Sequence, residues 1–265
     1  MRLRKTRLHS LVVTLGVAIS ACGRGQDTPS LESSTQAGAV ARKVDTTTAG
    51  TITGSAILVG PAPANELIRM NADPVCVREG KGPQQQETFV VGSAGTLANV
   101  FVYVKGGLGN YLYDAPTQPA TLDQRGCRYT PHVFGVRVGQ PIEIINSDPT
   151  LHNIHAVPKA NQEFNTGQPI QGMKMTHAFT AAEVMVPFKC DVHGWMNAYV
   201  GILQHPYFSV TGTDGKFELK PLPPGTYTVE AWHERLGTMT ESVTLGQTET
   251  KNVMFHFKAP SEGKS

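Results

Sequence analysis

Short apolar runs, each ended by a turn signal, recur along most of this chain and restrict it to β architecture. The stretch "GTITGSAILVG" alternates apolar with small or polar residues before Pro61, and "LANVFVYVKGG" ends at a glycine pair. The stretch "HVFGVRVGQPIEIINSDP" indicates two strands around a turn at residues 139–141. Helical periodicity is nearly absent, and only "ANELIRM" fits one or two helical turns. Many short strands separated by turns predict an all-β fold, with two β-sandwiches.

The C-terminal part adds further strand patterns with recognisable turn pairs. In "GILQHPYFSVTGTDGKFELKPLPPGTYTVEAWHE" we interpret Asp214-Gly215 and Pro224-Gly225 as hairpin turns. The stretch "ESVTLGQTETKNVMFHF" is a further hairpin candidate. These patterns predict a β-sandwich module at residues 206–258, followed by a short tail.

Composition places the chain among globular proteins and argues against a nucleic-acid partner. The chain has 265 residues, of which 40% are apolar and 17% charged, and its formal net charge is +2. Part of the basic excess lies at the extreme N-terminus, in "MRLRKTR". The rest of the chain is close to neutral, so it lacks the basic footprint of a nucleic-acid-binding protein.

The N-terminus has the features of an export signal. Basic residues precede the apolar run "LVVTLGVAIS", which is too short to span a bilayer as a helix. The following "ISAC" resembles a bacterial lipoprotein signal, which implies removal of residues 1–21 and lipidation of Cys22. Gly23 then favours the outer membrane in a Gram-negative cell, with the protein facing the periplasm, or else the cell surface. Ordinary secretion is the alternative, and residues 22–49 are predicted to form a flexible polar tether.

The remaining cysteines predict one disulfide and one free thiol. Cysteines outside the cytoplasm tend to pair, and Cys76, Cys127 and Cys190 leave one over. Three cysteines allow three different pairs. The most economical assignment joins Cys76 to Cys127, because Cys190 has metal-ligand types beside it.

Two separated segments carry residues that suit a metal. The segment "KCDVHGWM" places Cys190, His193 and Met196 three residues apart, and "INSDPTLHNIHAV" carries His152 and His155. Two imidazoles, a thiolate and a weak axial thioether are the donors of a blue copper site. A Cys-x-x-His pair alone is usually incidental, and methionine usually fills a core. Methionine is also a poor zinc ligand, and no third residue suits a Cys/His nucleophile.

Together, "HNIH" after an N-x-D turn and the later C-x-x-H-x-x-M resemble the cupredoxins, most closely amicyanin and plastocyanin-like domains. The resemblance covers residues 120–205 and implies a Greek-key sandwich with one type-1 copper. The implied ligands are His152, Cys190, His193 and Met196. Asn153 would hold the site by hydrogen bonding. His155 falls at a position where amicyanin-like sequences carry a histidine that is not a ligand.

The other histidines are first interpreted as packed or surface residues. His177 and His205 carry no metal-like pattern. His233, with Glu230 and Glu234, is a minor candidate for an extra metal ligand, as in red-copper relatives. Trp195 is expected to surround an exposed edge of His193.

A second resemblance concerns "TGTDGKFELKPLPPGTYTVEAWHE", which is similar to carboxypeptidase regulatory-like domains, small transthyretin-like sandwiches. Residues 213–229 carry that motif, and such a motif says little about function. The strands in residues 50–119 resemble the opening of the same module. This favours a copper domain inserted into the second sandwich; a copper domain that starts at residue 50, followed by a separate module, is the alternative.

The leading hypothesis is an exported electron carrier with one copper, not an enzyme. Its implied partners are a redox protein, such as a cytochrome or a copper enzyme, and the membrane, through the lipid anchor. The alternatives are a periplasmic copper-delivery protein, a red-copper enzyme with an open coordination position and a metal-free scaffold.

Overall fold

The computed structural model describes residues 41–260, which are almost entirely β-structure. The predicted all-β fold class is confirmed. The predicted signal peptide, Cys22 and most of the predicted tether and tail lie outside the described residues. Within the described part of the chain, no helix has the length and hydropathy needed to cross a bilayer.

Eighteen strands and two short helical segments follow one another within residues 41–260. The strands are β1 (Arg42–Lys43), β2 (Gly50–Val59), β3 (Phe101–Gly106), β4 (Tyr111–Leu112), β5 (Ala120–Gln124), β6 (Tyr129–Thr130), β7 (Val133–Arg137), β8 (Ile142–Asn146), β9 (His152–Ala156), β10 (Phe164–Gln168), β11 (Lys174–His177), β12 (Glu183–Lys189), β13 (Asn197–Leu203), β14 (Phe208–Val210), β15 (Lys216–Leu222), β16 (Gly225–His233), β17 (Gly237–Leu245) and β18 (Thr250–Lys258). The helical segments are α1 (Pro74–Glu79) and a 3₁₀ turn at Ser93–Gly95.

The strands of residues 120–203 form two sheets that pack face to face, here called the site sandwich. One sheet has the order β10-β9-β12-β13-β7, and the other β11-β8-β5-β6. Their inner faces share one core, in which Leu122, Ile144 and Phe188 are buried. Alternation of inward apolar and outward polar side chains explains this burial, as in β8, where every second residue is buried.

The remaining long strands form a second pair of sheets, here called the flanking sandwich. Their orders are β14-β3-β16-β17 and β15-β2-β18. Ile52, Val102 and Phe255 are fully buried in its core. Since β2 and β3 pair with strands that come after residue 203, residues 120–203 interrupt this sandwich in the sequence. A two-stranded parallel pair, β1-β4, completes the sheets.

One segment that leaves the flanking sandwich reaches the other sandwich. Residues 64–87, between β2 and β3, are here called the cap segment and include α1. Met70 and Cys76 are buried in the core of the site sandwich. Cys76 forms a disulfide with Cys127, which lies two residues before the start of β6. The cap segment therefore lies between two strands of the flanking sandwich in the sequence but packs against the site sandwich.

The two sandwiches meet across a pair of glycines. Gly135 in β7 and Gly201 in β13 are register partners on the five-stranded sheet. A Cβ at Gly201 would lie 2.4 Å from Cζ of Phe101, and one at Gly135 would lie 2.4 Å from Cδ2 of Phe208. Both phenyl rings therefore rest directly on the backbone of the sheet, where only glycine leaves room. His132 also joins the sandwiches, through a 2.5 Å contact from Nε2 to the Glu234 carboxylate.

The structure corrects several expectations about connections. The strands on either side of Asp214-Gly215 lie in different sheets, and so do those on either side of Pro224-Gly225. The last two strands, β17 and β18, also lie in different sheets, so all three predicted hairpins are wrong. Turn residues allow a chain reversal, but they do not specify whether the next strand pairs or crosses to the opposite layer. "ANELIRM" is not helical; the helix follows it at α1, where Asp73 caps its N-terminus.

Candidate metal centre

The loop between β12 and β13 brings three predicted site residues to one end of the site sandwich. Cys190 follows β12 directly, and Met196 directly precedes β13. The N–H of Met196 donates to the carbonyl of His193 at 2.9 Å, and the N–H of Cys190 donates to the carbonyl of Met196 at 3.2 Å. These bonds close the seven-residue loop into a tight turn.

His152 joins this loop from a different strand. It is the first residue of β9, and β9 pairs with β12 through the partners His155 and Lys189. The side chains of His152, Cys190 and His193 are almost completely buried, with 0%, 2% and 3% exposure of the residues. One donor atom of each lies within 4.8 Å of the others. The structure thus brings together three of the four predicted ligands from two separate segments.

Both histidines turn the same ring atom toward the centre. Nδ1 of His152 lies 3.0 Å from Nδ1 of His193, and the latter lies 3.9 Å from Sγ of Cys190. Nitrogen ligands about 2.0 Å from a common ion are roughly 3–3.5 Å apart. The separation of the two Nδ1 atoms is close to that value.

A carboxylate binds the outer nitrogen of each imidazole. Nε2 of His152 lies 2.9 Å from Oδ2 of Asp148, and Nε2 of His193 lies 3.0 Å from Oδ2 of Asp73. An imidazole whose Nε2 proton is accepted by a carboxylate can offer Nδ1 to a metal ion. Two Nδ1 atoms 3.0 Å apart require a shared proton or a cation between them. The arrangement of these residues therefore fits a bound metal ion.

Asp148 is itself held in place by the backbone. Its carboxylate accepts the N–H of Gly126 at 2.8 Å and the N–H of Cys127 at 2.7 Å. Its own N–H donates to Oδ1 of Asn146 at 3.0 Å, which is the N-x-D turn seen in the sequence. Burial would raise the pKa of Asp148, but hydrogen bonds from His152 and these N–H groups outweigh it and lower that pKa. Asp148 therefore stays ionised beside His152.

The environment of Cys190 favours the thiolate, the form that binds metals. Burial on its own would raise the pKa of the thiol. In the metal-free protein, hydrogen bonds with the rings of His152 and His193 and from the backbone N–H groups of Asn153 and His193 outweigh burial and lower that pKa to about 5. The N–H of His193 lies 3.3 Å from Sγ. Cys190 is the one free cysteine among the described residues.

Asn153 and His155 support the loop from β9. Oδ1 of Asn153 accepts the N–H of Asp191 at 2.6 Å, and its Nδ2 donates to Asn165. The ring of His155 lies between two carboxylates, with Nδ1 2.8 Å from Asp191 and Nε2 2.7 Å from Glu163. Asn153 therefore fixes the residue that follows Cys190, and His155 has no free nitrogen for a metal.

The expectation of an exposed His193 edge is wrong. Trp195 does contact the ring, at 5.0 Å between centroids, and its Nε1 donates to the carbonyl of Cys127. However, Asp73 and Sγ of Cys76, 3.5 Å from Nε2, cover the outer edge. The cap segment that covers this edge could not be placed from sequence.

Met196 and His233 have different positions relative to the centre. Met196 is buried in the core of the site sandwich, at the end of the ligand loop. His233 instead stacks on Phe89 and lies near Phe257, in the flanking sandwich. Among the described residues, it belongs to no cluster of three donor side chains. Its assignment as an extra ligand has no support from these contacts.

Neither carboxylate that binds an imidazole, Asp148 or Asp73, was predicted from the sequence as part of the site. Asp148 had a signal, since it is part of the N-x-D turn and lies four residues before His152. For Asp73 the sequence signal is only "DPVC", an N-cap aspartate followed by proline at the first helical position. That pattern predicts a helix start and gives no information about what the carboxylate contacts.

A scan against protein-family models and a search of curated proteins each gave no match for this chain. Similar solved structures include a copper-containing nitrite reductase from Thermus scotoductus SA-01, with 20% identity and a TM-score of 0.31 over 39% of this chain. An oxidised amicyanin variant has 22% identity and a TM-score of 0.29 over 34% of this chain. The purple cupredoxin of Nitrosopumilus maritimus has 20% identity and a TM-score of 0.28 over 31% of this chain.

The extent of these matches differs among the three. They span 25% of the reductase, 86% of the amicyanin and 98% of the purple cupredoxin.

Proposed function

We propose that this chain is an electron carrier with one copper ion bound by His152, Cys190 and His193. The observation that supports this most directly is the pair of facing Nδ1 atoms, 3.0 Å apart beside a thiolate. Two imidazoles and one thiolate are the donor set of blue copper sites. Copper bound there would supply one-electron chemistry by alternating between its cuprous and cupric states.

The protein's contribution would be to hold these donors still. Each imidazole is fixed by a carboxylate, and the ligand loop is closed by backbone hydrogen bonds. Ligands held in this way do not have to rearrange when the charge of the ion changes, which favours fast electron transfer. Met196 is proposed as the weak axial ligand, because it ends the same loop.

Because the outer edge of His193 is covered, electrons would leave through other residues near the ligand loop. Val192, beside His193, is 48% exposed, and Leu151, beside His152, is 43% exposed. Two ligands therefore lie one residue from an apolar, solvent-exposed side chain. A redox protein, such as a cytochrome or a copper enzyme, is the proposed partner.

Burial favours the carrier over the alternatives. A delivery protein has to release its ion, and an enzyme with an open position has to admit a small ligand. All three donor side chains are nearly inaccessible here, which favours an ion that stays bound and meets no substrate.

A copper titration of the full-length protein tests the proposal. One equivalent of Cu(II) should give an intense blue absorption that ascorbate removes and air restores. Cys190→Ser should lose that absorption while the thermal unfolding curve of the metal-free protein changes little. Rapid loss of copper to a chelator would indicate delivery, a spectral change with azide would indicate an open site, and a colourless protein would indicate a scaffold.

The axial assignment has its own test. Met196→Leu removes a donor that stabilises Cu(II), so the protein should still bind copper, with a higher reduction potential. Redox titration of the two proteins measures the difference. An unchanged potential and spectrum would show that Met196 is not a ligand.

Attachment to a membrane through a lipid on Cys22 is proposed from the sequence signal alone. Labelling with a radioactive fatty acid in a bacterial host should mark the protein, and Cys22→Ala should remove the label. A labelled Cys22→Ala protein would contradict the lipoprotein assignment.

A further inference from the structure

An acidic side chain from outside the site sandwich, Asp73, covers the outer edge of His193 together with Sγ of Cys76. Asp73 lies 120 residues before His193, in the cap segment, and its Oδ2 is 3.0 Å from Nε2 of the imidazole. Thr150 donates its hydroxyl to the same oxygen at 3.0 Å. The other oxygen accepts the N–H of Val75 at 2.8 Å. Both oxygens are therefore bound, and the carboxylate has a fixed orientation.

We propose that Asp73 is a positioning residue: its carboxylate fixes the ring of His193, keeps water from Nε2 and lowers the reduction potential of the bound copper. This inference rests on the proposed function. It adds a residue that contacts no copper ion and acts through a ligand.

The cap segment is anchored independently of Asp73. Cys76, three residues further on, is joined to Cys127 by the disulfide. Near the end of the cap segment, Gln84 accepts a hydrogen bond from Arg128 at 3.0 Å. Gln86 donates to the carbonyl of Trp195, in the ligand loop, at 3.3 Å. Because these contacts hold the segment in place, a change confined to the Asp73 side chain should leave the cap segment docked.

The effect on the potential follows from the charge on the acceptor. A carboxylate that accepts the Nε2 proton makes the imidazole a stronger donor at Nδ1. A stronger donor stabilises the more highly charged cupric ion more than the cuprous ion. Asp148 has the same relation to His152, so both imidazoles carry an ionised acceptor. Removing one of the two charges should raise the potential.

The first experiment compares two variants with the same change in net charge. Asp73→Asn removes the carboxylate while keeping a good N-cap residue. Glu79→Gln, on the same helix, removes a carboxylate that pairs with Arg78 at 3.0 Å. We expect a positive shift of the reduction potential for Asp73→Asn and no comparable shift for Glu79→Gln. Equal shifts, or no shift in either copper-loaded variant, would overturn the inference.

The second experiment needs no copper. In the metal-free protein, NMR can follow exchange of the His193 Nε2 proton with water. Exchange should be roughly tenfold faster or more in Asp73→Asn than in the parent and in Glu79→Gln, the factor expected for losing a hydrogen bond to a charged group. Equal exchange rates in the three proteins would overturn the inference. A parent protein that binds no copper would refute the proposed function, and the exchange rates would still decide whether Asp73 holds the ring.

Discussion

The two sandwiches are built from similar strands but differ in what they bury. The site sandwich and its loops bury many polar side chains: Gln124, His132, Asn146, Asp148, His152, Asn153, Gln168 and His193. The flanking sandwich buries few: Thr211, Glu230 and His233. A buried polar group needs a partner to offset its lost hydration. Such groups are concentrated in the site sandwich, where polar side chains of the candidate metal centre replace apolar core residues.

The flanking sandwich buries mostly apolar side chains. Its core is formed by aliphatic and aromatic residues from both sheets. Its buried Glu230 has two partners, the hydroxyl of Tyr103 at 2.5 Å and the ammonium of Lys105 at 2.6 Å. With an apolar core and a paired buried carboxylate, the flanking sandwich has the features of a structural domain. The comparison predicts that changes in the two sandwiches affect stability alike and copper binding differently.

A matched pair of core truncations tests this with the largest expected effect. Phe188→Ala and Phe255→Ala each remove a buried phenyl ring and should each lower the free energy of unfolding by about 3–5 kcal/mol. Phe188 lies two residues before Cys190, against Phe134 and Phe179, whereas Phe255 packs on Phe217. Denaturant unfolding and copper titration should show weakened copper binding in Phe188→Ala only. Equal loss of copper binding in both would remove the distinction between the sandwiches.

Removing the disulfide should cost somewhat less. Cys76 and Cys127 are 51 residues apart in sequence, and replacing both by serine should lower stability by about 2–4 kcal/mol. Since the disulfide fastens the cap segment beside His193, the double variant should also exchange the His193 Nε2 proton faster. Thermal unfolding and NMR exchange measure these two effects. A destabilised variant with unchanged exchange would show that other contacts suffice to hold the cap segment.

The contact between the sandwiches should be sensitive to a single methyl group. A Cβ at position 201 would meet the ring of Phe101 at 2.4 Å, so Gly201→Ala should lower stability by about 1–3 kcal/mol. Gly106→Ala is the control, because no atom lies within 4 Å of a Cβ there. Copper absorption should stay the same in both. Equal melting temperatures for the two variants would mean that Phe101 moves aside at little cost.

The smallest effect concerns pH and the flanking sandwich. Burial lowers the pKa of His233 to about 4, below the value of about 6.5 in an unfolded chain. The unfolded state then binds more protons between these values, so stability is complete above pH 6.5 and falls as the pH decreases toward 4. At pH 5.5 the loss from this residue should be on the order of 1 kcal/mol. His233→Phe should flatten the pH dependence of the metal-free melting temperature, and an unchanged slope would contradict a buried neutral histidine.

Much of the strand content could be predicted, because the alternation that defines a strand is local. The strand at residues 50–59 and the two strands around residues 139–141 lie where the pattern placed them. Their partners could not be predicted in the same way. The strands on either side of residues 139–141 belong to different sheets of one sandwich, although their sequence resembles a hairpin. Pairing depends on which layer has room for a strand, and no short stretch of sequence contains that information.

In the candidate centre, too, the residues in local sequence patterns could be predicted, whereas a long-range contact could not. Cys190 and His193 share one short loop, and a recognisable pattern pointed to His152 in another segment. The structure brings all three together, and it contains the Cys76–Cys127 disulfide. Asp73 could not be found, since its contact with His193 depends on the path of the cap segment between β2 and β3. The sequence shows that Asp73 can cap a short helix, but it does not show what the second carboxylate oxygen binds.

The path of the cap segment has a consequence for how this centre can be transferred to other proteins. A fragment cut at the ends of the site sandwich would contain every candidate ligand, yet His193 would open to solvent and Cys127 would lose its partner. The boundary of the proposed metal-binding unit is thus discontinuous, and grafting it elsewhere would require a second piece of chain from its neighbour.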